Sequence, residues 1–158
     1  MSHLPIELGV LDARHVHALG LHLLALDEPD RHARFGQSLG DEALLAWVHR
    51  IPWQRDRWMG AWAGPENHLV GAIQLVRTRR PGVWELALSV AAPVRRHAVA
   101  TRLLAAALGD TALADCRSLL CHHGHPALRR MARHLGLACV ESGAAPGLLI
   151  HRLGGGLG

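Results

Sequence analysis

The stretch VRRHAVATRLLAAAL, residues 94–108, decides how this chain is read. It opens on Arg95, Arg96 and His97, passes through the small residues Ala98, Ala100 and Thr101 around Val99, and then runs on as an apolar helix. The first N–H groups of a helix have no partner within it, and the helix dipole adds partial positive charge at that end. Small side chains let an anion approach such a backbone closely, and arginine forks onto phosphate. A basic loop that feeds a helix start is therefore a phosphate cradle. The same pattern also suits a merely solvated charge, so the flanking sequence has to decide between the two.

Before the stretch, RWMGAWAG (57–64), HLVGAIQLVRT (68–78) and WELALSV (84–90) alternate in hydropathy and read as three strands. RRPGV (79–83) reads as a turn, because Pro-Gly suits the central positions of type II. Residues 57–90 are thus an antiparallel meander. Further upstream, PIELGVL (5–11) reads as a first strand. Val16, Leu19, Leu23 and Leu26 recur at helical spacing. DEPDRHARFGQSLG (27–40) is polar and reads as an irregular connection. A second helix follows, with Ser38 as its candidate cap and Leu44, Val48 and Ile51 as its apolar stripe. After residue 109, SLLCHH (118–123) is a strand, and HPALRRMARHLG (125–136) is a helix that Gly136 ends. LACVES and GLLIHRL are the closing strands. The predicted order is β-α-α-β-β-β-α-β-α-β-β, a mixed α/β chain whose sheet is mostly antiparallel. One domain is expected over residues 1–153, with a flexible Gly-rich tail at 154–158.

Composition limits the function classes. Hydrophobic content of 49% excludes a disordered chain. No apolar run is long enough for a membrane span, and Ala18 to Leu26, which carries His22, sits too far from a basic start for a signal peptide. Cys116, Cys121 and Cys139 are odd in number and lack C-x-x-C spacing, which fits a reducing, cytoplasmic setting. The formal charge is +4 and every basic residue other than histidine is arginine. Those arginines are scattered, with no tyrosine and a single phenylalanine to stack bases, so no nucleic-acid partner is expected.

With these flanks in place, LALSVAAPVRRHAVATRLL (86–104) resembles the acetyl-CoA signature of the GNAT superfamily of N-acetyltransferases. That signature is Arg/Gln-x-x-Gly-x-Gly/Ala between the fourth strand and the third helix, and here Arg95, Ala98 and Ala100 fill its positions. HPALRRMARHLGLACV (125–140) resembles the late helix of the family, with His125 where an asparagine is common. DRHARFG (30–36) resembles a segment of a bacterial subgroup that includes protein-lysine acetyltransferase domains. The resemblance implies a GNAT-like fold with about seven strands flanked by four helices. It implies acetyl-CoA as cofactor and CoA as product, with a primary-amine acceptor that is either a small molecule or a protein. Members of the family often form homodimers, and with no membrane span in the sequence no membrane partner is expected. It assigns cofactor binding to the strand backbone at Leu88, Ser89 and Val90, to Arg95, Arg96, His97, Ala98, Val99, Ala100 and Thr101, and to His125. The chain departs from the family at two points. Ala98 replaces a glycine, and Ala132 stands where many members carry the tyrosine that protonates the leaving thiolate.

Acetyl transfer to an amine needs a base and a donor for the developing oxyanion. Glu85 is the only acid of the central strand and shares a face with Ala87 and Ser89, opposite Trp84, Leu86 and Leu88. The resemblance supports it as the base. Histidine suits the same task near neutral pH, and His122 and His123 end the fifth strand where the sheet is expected to splay, so His123 is a second catalytic candidate. CHHGH (121–125) crowds metal-capable side chains, but neighbours on a strand point to opposite faces, and no metal is expected. Arg34 and Phe35 are placed in the loop that borders the acceptor site, and of the five tryptophans one is a candidate wall of that groove. Direct attack by the amine is the expected route. The alternative is a non-catalytic CoA- or acyl-CoA-binding module of the same fold, for which the missing tyrosine speaks.

Overall fold

The alternating segments pair as their hydropathy predicts. In the computed structural model, which describes residues 5–122, 126–141 and 147–152 (for Arg96, His97 and Pro126 the backbone only), the strands are β1 Ile6–Leu11, β2 Arg57–Ala63, β3 His68–Arg77, β4 Val83–Val90, β5 Ser118–His122, β6 Ala138–Glu141 and β7 Gly147–His151. They form one sheet in the order β1-β2-β3-β4-β5-β7-β6. Every adjacent pair is antiparallel except β4 and β5. In the β3–β4 turn the Val83 N–H donates to the Arg80 carbonyl at 3.1 Å, and Gly82 takes φ +78°. That is the type II geometry Pro81-Gly82 predicts. The Gly-rich segment 154–158, read as a tail, lies outside the described residues.

Among the described residues there are five α-helices rather than the expected four: α1 Val16–Leu24, α2 Glu28–Phe35, α3 Asp41–His49, α4 Val99–Leu108 and α5 Pro126–His134. The additional one is α2, which occupies the stretch read as an irregular connection. Its sequence EPDRHARF buries none of its residues, so it shows no apolar stripe. What makes it helical is its ends. The Asp27 carboxylate accepts from the Asp30 N–H at 2.9 Å, Pro29 sits in the first turn, and Gly36 closes the helix in left-handed conformation. Ser38 does not cap α3. Its hydroxyl turns to Glu28, and Gly40 takes the cap position without a side-chain bond.

The sheet buries both faces. On one, Val99, Leu103, Leu104 and Ala107 of α4 and Leu128 and Ala132 of α5 pack on Ile73, Leu75, Trp84 and Leu86. On the other, Leu19 and Leu23 of α1 and Leu44 and Val48 of α3 pack around Trp58. Each such leucine contributes roughly 1.5–3 kcal/mol by leaving water. Gly71 sets how close α4 lies to the sheet, since a Cβ there would stand 2.9 Å from Val99 Cγ1 and 3.1 Å from Leu103 Cδ1. No helix of the described residues is long and apolar enough to cross a membrane.

Candidate active site

The parallel register of β4 and β5 runs only from Val83↔Ser118 to Glu85↔Leu120, while β4 continues to Val90. Beyond Glu85 the two strands part. The edge of β4 at Leu88–Val90 therefore has no strand partner on that side, and a cleft of about 830 Å³ opens through the gap. The wall of β4 from Glu85 to Val90, the C-terminal half of α2, the start of α4 and the first turns of α5 enclose it.

Glu85 faces this cleft, as its strand parity predicts. Its carboxylate Oε1 stands 2.5 Å from His122 Nε2, both side chains being a little under half exposed. Strand register accounts for this pairing. Glu85 is paired with Leu120, and His122 lies two residues on, hence on the same face. His123 and His125 lie outside the described residues. Cys121, next to His122, is kept as a thiol. Burial pushes its thiol up to about 11, with Arg34 pulling it down and Glu85 pushing it further up.

The stretch that opens the reading is not one continuous helix start. Residues Ala92–His97 form a 3₁₀ turn, Ala98 is left-handed at φ +55° and ψ +28°, and α4 begins only at Val99. The left-handed backbone accounts for the glycine that resembling sequences carry at this position, because only glycine adopts it without a Cβ penalty. Leu88, Ser89, Val90, Arg95 and Ala100 line the cleft. Val99 is fully buried under the sheet, so only its backbone is left for a ligand, and Thr101 is partly buried and outside the cleft wall. Ser89 is turned away from the opening, its hydroxyl 2.9 Å from Nε2 of the buried His22. Burial draws His22 down to about 4, against the opposing pull of hydrogen bonds to the Ser89 and Leu69 backbone, so it is neutral at pH 7. Arg95 spans the two halves of the cleft: its guanidinium pairs with Asp30 of α2, and its Nε donates to the Val90 carbonyl at 3.4 Å.

Arg34 and Phe35 are on the last turn of α2, not in a loop. The Arg34 guanidinium packs over the rings of Phe35, Trp47 and Trp58 at 4.7, 5.3 and 5.9 Å, and of the tryptophans Trp47 lines the cleft. Arg34 Nη2 donates to Gln74 Oε1 at 2.7 Å, and Gln74 Nε2 donates to Asp56 Oδ2 at 2.9 Å. Asp30, Gln74, Asp56 and His22 are functional candidates that the sequence reading missed. Gln74 had a visible signal, as the one polar residue inside the apolar run LVGAIQLV. Ala132 of α5, at the position of the absent tyrosine, is fully buried against the core.

A mixed sheet parted between a parallel pair, with an acid and a basic helix entry facing the gap, is an acyl-transfer frame. The chain belongs to the acetyltransferase (GNAT) family, whose model matches residues 21–137. It is thus an acetyltransferase by family. No curated protein matches it by sequence. Among solved structures, the GNAT domain of S. lividans PAT is similar at TM-score 0.72 and 12% identity, covering 93% of this chain and 89% of that one. Diaminobutyrate acetyltransferase from Paenibacillus lautus, in complex with L-2,4-diaminobutyric acid and coenzyme A, is similar at TM-score 0.70 and 18% identity, covering 99% and 100%. Ribosomal-protein-S5-alanine acetyltransferase from Vibrio fischeri is similar at TM-score 0.67 and 9% identity, covering 99% and 97%. At these identities the likeness speaks for the fold.

Proposed function

We propose that this chain transfers an acetyl group from acetyl-CoA to a primary amine by direct attack, in the cytoplasm. The observation that carries the reading is the Glu85–His122 pair at the point where β4 and β5 part, beside the free strand edge of Leu88–Val90. Structural neighbours acting on a diamino acid and on a ribosomal protein show that the fold alone leaves the acceptor open.

The residues present fit the cofactor. The Leu88–Val90 edge has no strand beside it on the β5 side, Arg95 and Ala100 line the same cleft, and the N–H groups that start α4 follow. Arg95, Ala98 and the first turn of α4 would hold the pyrophosphate, and the β4 edge would orient the thioester. Bound there, acetyl-CoA supplies an activated acyl group. Glu85, held by His122, takes the proton that an ammonium acceptor must lose before its nitrogen can attack. Backbone N–H groups of β4 are fixed donors for a carbonyl oxygen that gains charge. His122 is within reach of that same proton and is the titratable group able to pass it on toward the departing sulfur, the role for which this chain has no tyrosine. Cys121, pushed up to about 11 by burial, is held as the thiol rather than as an attacking thiolate, which favours direct attack by the amine.

The test is Glu85→Gln, with acetyl-CoA affinity measured by calorimetry and CoA release followed across an amine panel. The expected result is a fall in kcat/KM of about 10²–10⁴-fold, the usual weight of a general base, with the acetyl-CoA Kd unchanged. Saturable acetyl-CoA binding without turnover of any amine by the wild type would instead support a non-catalytic acyl-CoA-binding module.

A further inference from the structure

Arg34 differs from the arginines that form ion pairs in this fold. Arg31, Arg57, Arg77, Arg95 and Arg129 each face a carboxylate. Among the described residues no carboxylate stands within ion-pair distance of Arg34, which lines the cleft together with Arg95 and Arg130. Burial pulls its pKa down to about 10, which leaves it cationic at neutral pH. Its side chain is half-buried, and a guanidinium partly withdrawn from water without a counter-charge is costly, so proteins supply such groups with partners.

Its surroundings hold it in place without neutralising it. The rings of Phe35, Trp47 and Trp58 support the guanidinium. Gln74 accepts one N–H and is itself oriented by its bond to Asp56, so its carbonyl end is the one turned to Arg34. A guanidinium has five N–H donors in a planar fork, and the form of ligand that fits such a fork is a carboxylate bound by two parallel hydrogen bonds. At the other end of the same wall stands Glu85, a carboxylate that suits an ammonium. Gln74 is opposite Ala87 in register, and Glu85 is two residues further along β4, about 7 Å away at the backbone.

We propose that the acceptor is a small amino acid: Arg34 binds its free carboxylate while the amine, a few bonds away, is presented to Glu85. The cleft is then polarised for a zwitterion, with the cation on α2 and the base on β4. This rests on the acetyl-transfer reading above and adds the class of acceptor.

The experiment compares amino acids with their own carboxamides, in turnover with acetyl-CoA and in binding of the N-acetylated acid or amide to the CoA-loaded protein. In wild type the acid is expected to exceed its amide by about 30-fold in kcat/KM, the weight of a charge-assisted hydrogen-bond pair. In Arg34→Gln that ratio collapses toward one, chiefly through KM, and Arg34→Lys, which keeps the charge but not the fork, gives an intermediate ratio. Because the ratio is taken within one variant, any loss of folded protein cancels. Turnover with a ratio near one in wild type overturns the proposal and leaves acetyl transfer standing. Arg34-dependent binding of the acid over the amide with no turnover keeps the carboxylate site and overturns the acetyl-transfer reading. If Arg34→Gln weakens acetyl-CoA binding instead, the anion at Arg34 is a CoA phosphate and the proposal falls. Absence of both turnover and acid-selective binding overturns both readings.

Discussion

Replacing Ala98 by glycine is expected to stabilise this protein, which is the reverse of the usual effect of glycine beside a helix. Ala98 sits at φ +55° and ψ +28°, between the 3₁₀ turn and α4, and its methyl group is exposed. A left-handed backbone costs a residue with a Cβ roughly 1–2 kcal/mol, and glycine bears none of it. Against this, glycine gives the unfolded chain more freedom, which costs about 0.4–1 kcal/mol. No packed surface is lost, because the methyl touches solvent. The balance is a gain of about 0.5–1 kcal/mol, or about 1–4 °C in Tm for a chain of this size. Ala98→Val works in the opposite direction, since β-branching makes the left-handed region harder still to reach. The assay is thermal denaturation of the three proteins, with and without saturating CoA. Removing the Cβ also clears the approach to the first N–H groups of α4, so the CoA-induced rise in Tm should be at least as large in Ala98→Gly as in wild type. A lower Tm for the glycine variant, with the valine variant unaffected, would mean that residue 98 is not left-handed in solution, and the account of the cradle would fail with it.

Two further outcomes follow from the ion pairs and buried groups around the cleft. His22 has a folded pKa near 4 against an ordinary 6.5, so between those values the unfolded chain binds the additional proton. Stability from this group is complete above pH 6.5 and is lost as the pH falls toward 4, a change on the order of 3 kcal/mol. His22→Gln should flatten the decline of Tm over that window, and an unchanged slope would refute the assignment. The second outcome concerns Arg95, which is drawn toward Asp30 rather than into the cradle. Asp30→Ala should free it and tighten acetyl-CoA binding by up to about fivefold at low salt, the upper range for an exposed pair, with the gain shrinking as salt is added. Weaker binding in Asp30→Ala would show that the pair braces the cradle instead of competing with it.

What could be read from the residues depended on the range of the interaction. The meander was legible because β2, β3 and β4 alternate in hydropathy and Pro81-Gly82 marks the turn, all of it local. The face of Glu85 followed from strand parity alone. Helix α2 was hidden because it buries nothing, and its signals were only the Asp27 cap and Gly36, which bracket a run of charge. The pairing of His122 with Glu85 needed the β4–β5 register, which brings together residues 37 apart and leaves no trace in either segment. The Arg34–Gln74–Asp56 chain likewise joins three elements, α2, β3 and the approach to β2, so none of its members looks special among its own neighbours. The left-handed turn at Ala98 was invisible because alanine, unlike glycine or asparagine, carries no signal for a positive φ, and only the resemblance marked the position.

The chemistry and the folding register of this enzyme are coupled through one strand. Trp84 and Leu86 of β4 point into the core beneath α4, while Glu85, Ala87 and Ser89 point toward α1–α3, where they meet Val76, Gln74 and Ala72 across the ladder. A slip of one residue would exchange the two sets. Glu85 would then enter the apolar core with no base left at the cleft, and Trp84 would fill the opening. Burying that carboxylate without a partner costs several kcal/mol, and exposing the tryptophan forfeits its burial. Selection for a single register and selection for a correctly aimed base therefore act on the same residues. That is why the acid can stand in the middle of a strand: it is tolerated there because the sheet has already parted beside it, and the parting is what makes the site.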